Sequence, residues 1–290
     1  MTGRANPDDF SITLADERQL AWREYGTTDG PVVLYFHGTP GSRQEFTPAQ
    51  ELATTRGLRV IVPDRPGYGA SSPRPGRSIA DIAEDVAALL DHLELERVGA
   101  LGFSGGGPHA LACALRIPDR INRLGLVSSL APFSDADTSD MPESLQSFWK
   151  LAGSDSQVFA AMLNEGLAAA GGTYELLMAG APAEDRAVFT NELAETYSAS
   201  LGEGLRPGLD GMVTDARALA TAWGIRPAKP DCPARLWHGT RDLNAPIAMG
   251  HWLSTRLGNA PLTEWEGAAH FALFQRWEEI LDSYPKTADS

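Results

Sequence analysis

Six short, almost unbroken apolar runs punctuate the chain: "PVVLYFHG" (31–38), "LRVIVPD" (58–64), "RVGALGF" (97–103), "RINRLGLVSS" (120–129), "ARLWHG" (234–239) and "PLTEWEG" (261–267). Runs of this length without polar alternation predict strands covered on both faces, as in a parallel sheet. The last run holds Thr263 and Glu264 and belongs nearer an edge. Ahead of them, Phe10 to Tyr25 alternates around Asp16-Glu17 and predicts a hairpin. Between the runs the period becomes helical. "SIADIAEDVAALLDHL" places Ile79, Ile82, Val86, Leu89, Leu90 and Leu93 on one face, with Ser78 as the expected N-cap. "PHALACALRI", "PIAMGHWLSTRL" and "FALFQRWEEILDSY" read as further helices. The alternation predicts an α/β fold: a mostly parallel central sheet flanked by helices.

One stretch breaks the alternation. Residues 132–207 contain no buried-strand run, only short helical patterns, and residues 133–210 hold 13 acidic against 3 basic side chains. That is −10 of the chain's formal net charge of −14. The stretch also carries Phe148, Trp149, Phe159, Met162, Tyr174, Met178, Phe189 and Tyr197. It is expected to be a helical insert over the carboxyl edge of the sheet, with most of these side chains as filler and a few facing a pocket. The expected division is a core of residues 1–131 and 208–290 with a helical cap at 132–207.

Charge narrows the function. A pI near 4.8 argues against nucleic acid or an anionic membrane as partner. Two cysteines, Cys113 and Cys232, have no metal-type spacing and suggest a reducing compartment. The start "MTGRANPDDF" lacks the apolar run of a signal peptide, and no run of about 18 apolar residues occurs. A cytoplasmic protein is expected, with a small-molecule substrate; the oligomeric state is left open.

The segment "GFSGGGPHA" admits two readings. Gly105-x-Gly107-x-x-Ala110 has the spacing of a dinucleotide-binding turn, and Gly102-x-Ser104-x-Gly106 that of a turn lifting a nucleophilic serine off a strand. A dinucleotide site needs an acidic residue at the end of the next strand, but that strand ends in Ser128-Ser129-Leu130-Ala131-Pro132. The nucleophile reading finds its partners instead. Of six histidines, His270 follows the final strand on a loop, where a base for Ser104 belongs. His92, His109 and His251 sit within helical patterns, and His37 and His238 suit turn-stabilising roles. Asp242, just past the strand ending at His238, is placed to orient the imidazole, with Asp210 and Asp215 as substitutes. The oxyanion of acyl transfer would be held by the Gly105 N–H and by the Thr39 N–H, with the Thr39 hydroxyl as an optional further donor.

These residues resemble the α/β-hydrolase superfamily over essentially the whole chain. "FHGTPGS" resembles its oxyanion loop, "PDRPGYGASS" its Asp-x-x-Gly-x-Gly-x-Ser segment and "GFSGGG" its nucleophile elbow. "HGTRDLNAP" and "GAAHF" resemble its acid and base segments. The resemblance implies a serine-nucleophile enzyme with a variable cap after the sixth core strand and a cis Thr39–Pro40 bond. No cofactor or metal is expected. Epoxide hydrolases and haloalkane dehalogenases share the loop but use an aspartate where Ser104 stands. The expected activity is cleavage of a small carboxylic ester or related acyl compound through an acyl-enzyme. A carbon–carbon bond hydrolase or lyase using the same triad, a haloperoxidase-like enzyme, and a non-turnover binding protein are the alternatives.

Overall fold

The computed structural model describes residues 9–221 and 223–284. All eight expected strands form: β1 (Asp9–Thr13), β2 (Gln19–Gly26), β3 (Val32–Phe36), β4 (Arg59–Pro63), β5 (Val98–Phe103), β6 (Ile121–Val127), β7 (Ala234–Gly239) and β8 (Leu262–Trp265). They make one sheet in the order β1-β2-β4-β3-β5-β6-β7-β8. β1 and β2 run antiparallel to their neighbours and the rest are parallel. The hairpin that begins the chain thus covers one edge, and β8, with its polar residues, ends at the other. β5 is buried along its whole length at the centre. The parallel order aligns the carboxyl ends of β3, β5, β7 and β8, so the loops after them share one rim.

Helices α1 (Gln50–Arg56), α2 (Ile82–His92), α3 (Gly106–Arg116), α10 (Ile247–Arg256) and α11 (Trp277–Leu281) flank the sheet. Two apolar layers result. On one face α2, α3 and α10 bury Val86, Leu90, Leu111 and Leu253 against Leu34, Leu124 and Leu236. On the other, Phe46, Trp277 and Ile280 cover Val33, Tyr35, Val60 and Trp237. Burying a side chain of this size stabilises the fold by about 1.5–3 kcal/mol relative to leaving it exposed. At the far edge, the indole N–H groups of Trp237 and Trp265 donate to the two oxygens of Glu279 at 3.1 Å each, so α11 ties β7 to β8.

Two local expectations are corrected. Ser78 is not the cap of α2: its N–H and hydroxyl both donate to Asp81 Oδ2, at 2.7 and 3.0 Å, and the helix begins only at Ile82. Closing that turn satisfies Ser78 locally and leaves it outside the helix. The last helix is also divided, into a 3-10 turn at His270–Gln275 and α11, with Arg276 non-helical between them. Phe271, Ala272 and Leu273 are all buried, which a regular helix with a single apolar stripe does not permit.

Between β6 and β7 the described residues form helices joined by loops and no strand. The chain runs through α4 (Glu143–Ser154), α5 (Ser156–Ala170), α6 (Thr173–Ala179), α7 (Ala183–Val188), α8 (Asn191–Gly204) and α9 (Asp210–Ala220). α4 to α8 lie within the interval expected to be the cap. Its apolar side chains divide into two groups. Phe148, Trp149, Phe159 and Met162 pack on Met212, Val213 and Ala216 of α9 and on Tyr68. Phe189 and Tyr197 pack instead on Phe271 and Phe274, beside His270, with Tyr174 against Phe189 and Met178 in the same cluster. Among the described residues no helix is long and apolar enough to cross a membrane.

Candidate active site

Ser104 sits between β5 and α3 with φ at +52°, a left-handed conformation that costs a residue with a side chain of order 1 kcal/mol or more. The surrounding glycines make that turn sterically feasible. A Cβ at Gly102 would lie 2.5 Å from the Gly106 carbonyl oxygen, and one at Gly106 would lie 2.1 Å from that of Phe36. A Cβ at Gly105 would meet Thr39 Oγ1 at 2.3 Å. The glycines therefore let backbone approach backbone around a strained serine; they do not line a phosphate cradle. The Ser104 N–H donates to Val127 O at 2.9 Å, anchoring the turn to the end of β6.

Ser104 and His270 are 166 positions apart and His270 and Asp242 are 28 apart, and the three meet on the common rim. Ser104 Oγ donates to His270 Nε2 at 2.9 Å, and His270 Nδ1–H donates to Asp242 Oδ2 at 2.8 Å. Asp242 is fixed from its other side, where Oδ1 accepts the N–H groups of Asn244 and Ala245 at 2.9 Å each. Both His270 and Asp242 are buried, whereas Ser104 is half-buried. Burial pushes the His270 imidazole toward the neutral form. The charge and hydrogen bond of Asp242, with Asp185 and Glu45 behind it, outweigh that and raise its pKa above the usual 6.5.

Among the described residues no other histidine hydrogen-bonds Ser104, and His238 Nε2 lies 3.5 Å from Asp242 Oδ2. His37 is buried beside Arg65 and kept neutral by burial, with Nδ1 2.8 Å from Gly38 O. His238 Nε2 donates to Ala245 O at 2.6 Å, and burial lowers its pKa. His109 Nδ1 donates to Gly105 O at 2.8 Å, and burial lowers it to about 4. His251 is exposed and pairs with Glu264 at 3.0 Å. His92 packs its ring edge on Trp22.

The loop after β3 places Thr39 against Gly105 and carries a cis Thr39–Pro40 bond. Thr39 corrects one expectation. Its hydroxyl donates to Asp215 Oδ2 at 2.7 Å and accepts from Arg65 Nη2 at 2.7 Å, so its proton is committed away from the serine. The N–H groups of Thr39 and Gly105 have no hydrogen-bond partner among the described residues. Asp215, weighed from sequence as a substitute acid, lies in this second cluster. It accepts from Arg65 at 2.7 Å, from Arg77 at 2.5 Å and from Tyr68 at 3.3 Å. Burial raises its pKa, but the two guanidinium groups hold it well below the carboxylate range. Arg65 also donates to the carbonyls of His37 and Gly38, bracing the loop.

Sequence reasoning passed over two further buried acids. Glu45 Oε1 accepts from Tyr35 OH at 2.7 Å and from the Gly38 N–H at 2.9 Å, and burial pushes its carboxyl up to about 7. Asp185, from the cap, accepts the Phe271 N–H at 2.7 Å. Neither stands in a recognisable motif: Glu45 follows Arg43-Gln44 and Asp185 lies between Glu184 and Arg186, so no signal in the sequence set either apart. Among the described residues no group of three or more His, Cys, Asp or Glu side chains is arranged to hold a metal ion. A cleft of about 470 Å³ lined by Phe133, Met141, Trp149 and Lys150 contains none of the triad side chains.

The chain's likeness to known proteins agrees with this geometry. Residues 31–275 match the family described as the alpha/beta hydrolase fold. The pimeloyl-[acyl-carrier protein] methyl ester esterase of Chromobacterium violaceum is 34% identical over 252 residues, covering 87% of this chain and 92% of that protein. A non-heme chloroperoxidase of Streptomyces lividans is 33% identical over 137 residues, 46% of this chain and 50% of that one. Among solved structures, a thermophilic esterase from Thermogutta terrifontis superposes with a TM-score of 0.69 at 23% identity, covering 96% of both chains. The chain belongs to the alpha/beta hydrolase fold family and is a hydrolytic enzyme of that family.

Proposed function

We propose that this protein is a serine esterase that cleaves a small, neutral or moderately apolar carboxylic ester through an acyl-enzyme. Ser104, His270 and Asp242 are its triad, and the Thr39 and Gly105 N–H groups form its oxyanion hole. The observation that carries the reading is the unbroken hydrogen-bond line from Ser104 Oγ to His270 to Asp242, at 2.9 and 2.8 Å. In that line His270 takes the Ser104 proton as Oγ attacks the ester carbonyl, and Asp242 stabilises the resulting imidazolium. The carbonyl oxygen becomes an anion facing the two unpaired N–H groups. Collapse breaks the carbon–oxygen bond to the alcohol, which leaves with the proton from His270. Water, deprotonated by His270, then attacks the acyl-serine; the acid departs and Ser104 recovers its proton.

We take residues 132–207 as the cap and 1–131 with 208–290 as the core. The position of α4 to α8 inside the former interval supports this division. A charge of −10 over residues 133–210 disfavours anionic substrates and supports a small neutral one. The Chromobacterium relative's methyl ester is of the same bond class, which supports an ester over other acyl compounds.

The test is intact-mass labelling with an organophosphonate fluoride, on wild type and Ser104→Ala, followed by hydrolysis rates over an ester chain-length panel. A single adduct lost in Ser104→Ala, with turnover of short esters, is expected. Absence of an adduct overturns the nucleophile assignment. Labelling without turnover of any ester points to a binding protein, and cleavage of a ketone in preference to esters points to carbon–carbon chemistry.

A further inference from the structure

Two neighbouring acids on one short cap helix reach both of the loops that carry His270 and Asp242. Glu184 of α7 pairs with Arg241, the residue before Asp242. Asp185, the next residue, is fully buried, and its Oδ1 accepts the Phe271 N–H at 2.7 Å. The His270 N–H faces the same carboxylate. Asp185 Oδ2 is buried and has no hydrogen-bond partner. α7 packs directly on the 3-10 turn that begins at His270.

A buried carboxylate with one oxygen unsatisfied is costly, of order several kcal/mol, unless a positive charge faces it. The guanidinium of Arg241 is taken by Glu184. The cation that arises here is His270 itself, when it accepts the serine proton. We propose that Asp185 is a positioning residue for the reaction: from the cap it fixes the His270 loop through the Phe271 N–H, and its charge favours the imidazolium formed as Ser104 attacks. This rests on the triad assignment above. It makes the cap part of the catalytic machinery, since any displacement of α7 releases the base.

The surroundings allow a test by charge. His270 is faced by Asp242 from the loop after β7, Glu45 from the segment after β3, His238 at the end of β7 and Asp185 from α7. Asp185 is faced by His270, Asp242 and, from α8, Tyr197. Replacing Asp185 leaves these other groups in place, so a displacement of the acid limb reports its charge, whereas the loss of the Phe271 hydrogen bond is read in kcat. Removing a negative charge disfavours the imidazolium, and the acid limb of kcat/KM moves to lower pH.

The experiment compares wild type, Asp185→Asn and Asp185→Ser on an ester that turns over, across a pH range of about 5 to 9. Phosphonate titration of Ser104 normalises each variant to its folded fraction. The expected result is a kcat lowered between about tenfold and a hundredfold, KM within about twofold, and an acid limb displaced to lower pH in both variants. Unchanged kcat with an unmoved limb overturns the proposal. So does a lowered kcat with an unmoved limb, because Asp185 would then be only a packing residue. Loss of both cooperative melting and labelling in both variants also overturns it, assigning Asp185 to folding. Wild-type labelling that vanishes in Ser104→Ala keeps the triad reading in force under every one of these results.

Discussion

Two buried aspartates serve the surroundings of Ser104, one joined to it through His270 and one joined to the loop of Thr39, and they are held in opposite ways. Asp242 has two backbone N–H donors and His270, a partner that gains and loses a proton near neutral pH, with His238 3.5 Å away and its pKa lowered by burial. Asp215 has two arginines, which stay protonated throughout, with a tyrosine, the Thr39 hydroxyl and, at 3.3 Å, His109, which burial lowers to about 4. The first arrangement leaves a proton free to move along a fixed line. The second has no partner that changes charge near neutral pH and acts as a rivet, joining the Thr39 loop, the segment after β4, α3 and α9. Chemistry is placed where a partner titrates near neutral pH, and rigidity where none does.

Substitutions separate the two roles. Ser104→Ala is expected to lower kcat by about 10⁶-fold, and Asp242→Asn by about 10⁴-fold through the wrong imidazole tautomer, both with little change in melting temperature. Steady-state rates and thermal melts on the same preparations check this. Asp215→Asn is expected to invert the pattern. It strands two buried guanidinium groups and costs about 3–5 kcal/mol of stability, read from denaturant unfolding. A folded Asp215→Asn protein with wild-type stability would erase the distinction. Thr39→Val removes the hydroxyl from the rivet but keeps the N–H proposed for the oxyanion hole. The expected loss is about 1–3 kcal/mol of stability, with kcat lowered about tenfold.

Titration sharpens the same contrast. The raised pKa of His270 places the acid limb of kcat/KM above 6.5, because the base must be neutral to accept the serine proton. In stability the two clusters have opposite signs. The His270 contribution is fully present below 6.5 and is lost as pH rises through the folded-state value. The Asp215 contribution is present above 3.8 and is lost as pH falls through its depressed value. Smallest of all is the exposed His251–Glu264 pair: His251→Ala is expected to change stability by less than about 0.5 kcal/mol, within the resolution of a careful melt.

Legibility in the sequence followed the physics of each part. The strands were readable because a parallel sheet buried on both faces demands continuous apolar runs. Ser104, Asp242 and His270 were readable because each follows such a run directly. The rivet was not. Arg65, Arg77 and Asp215 are charged residues up to 150 positions apart, and in one dimension a buried charge looks like a solvated one. The hydroxyl of Thr39 was misread for the same reason: its loop could be placed, but not the acceptor it would find. Asp185 and Glu184 were hidden in a cap whose general acidity masks the two acids that point inward.

The clip that Glu279 makes on Trp237 and Trp265 also bears on the spacing of the site. Asp242 follows β7 and His270 follows β8, so the two residues hang from the ends of the pair of strands that this one carboxylate spans. A single side chain at the edge of the sheet thereby gauges the gap across which Asp242 and His270 meet.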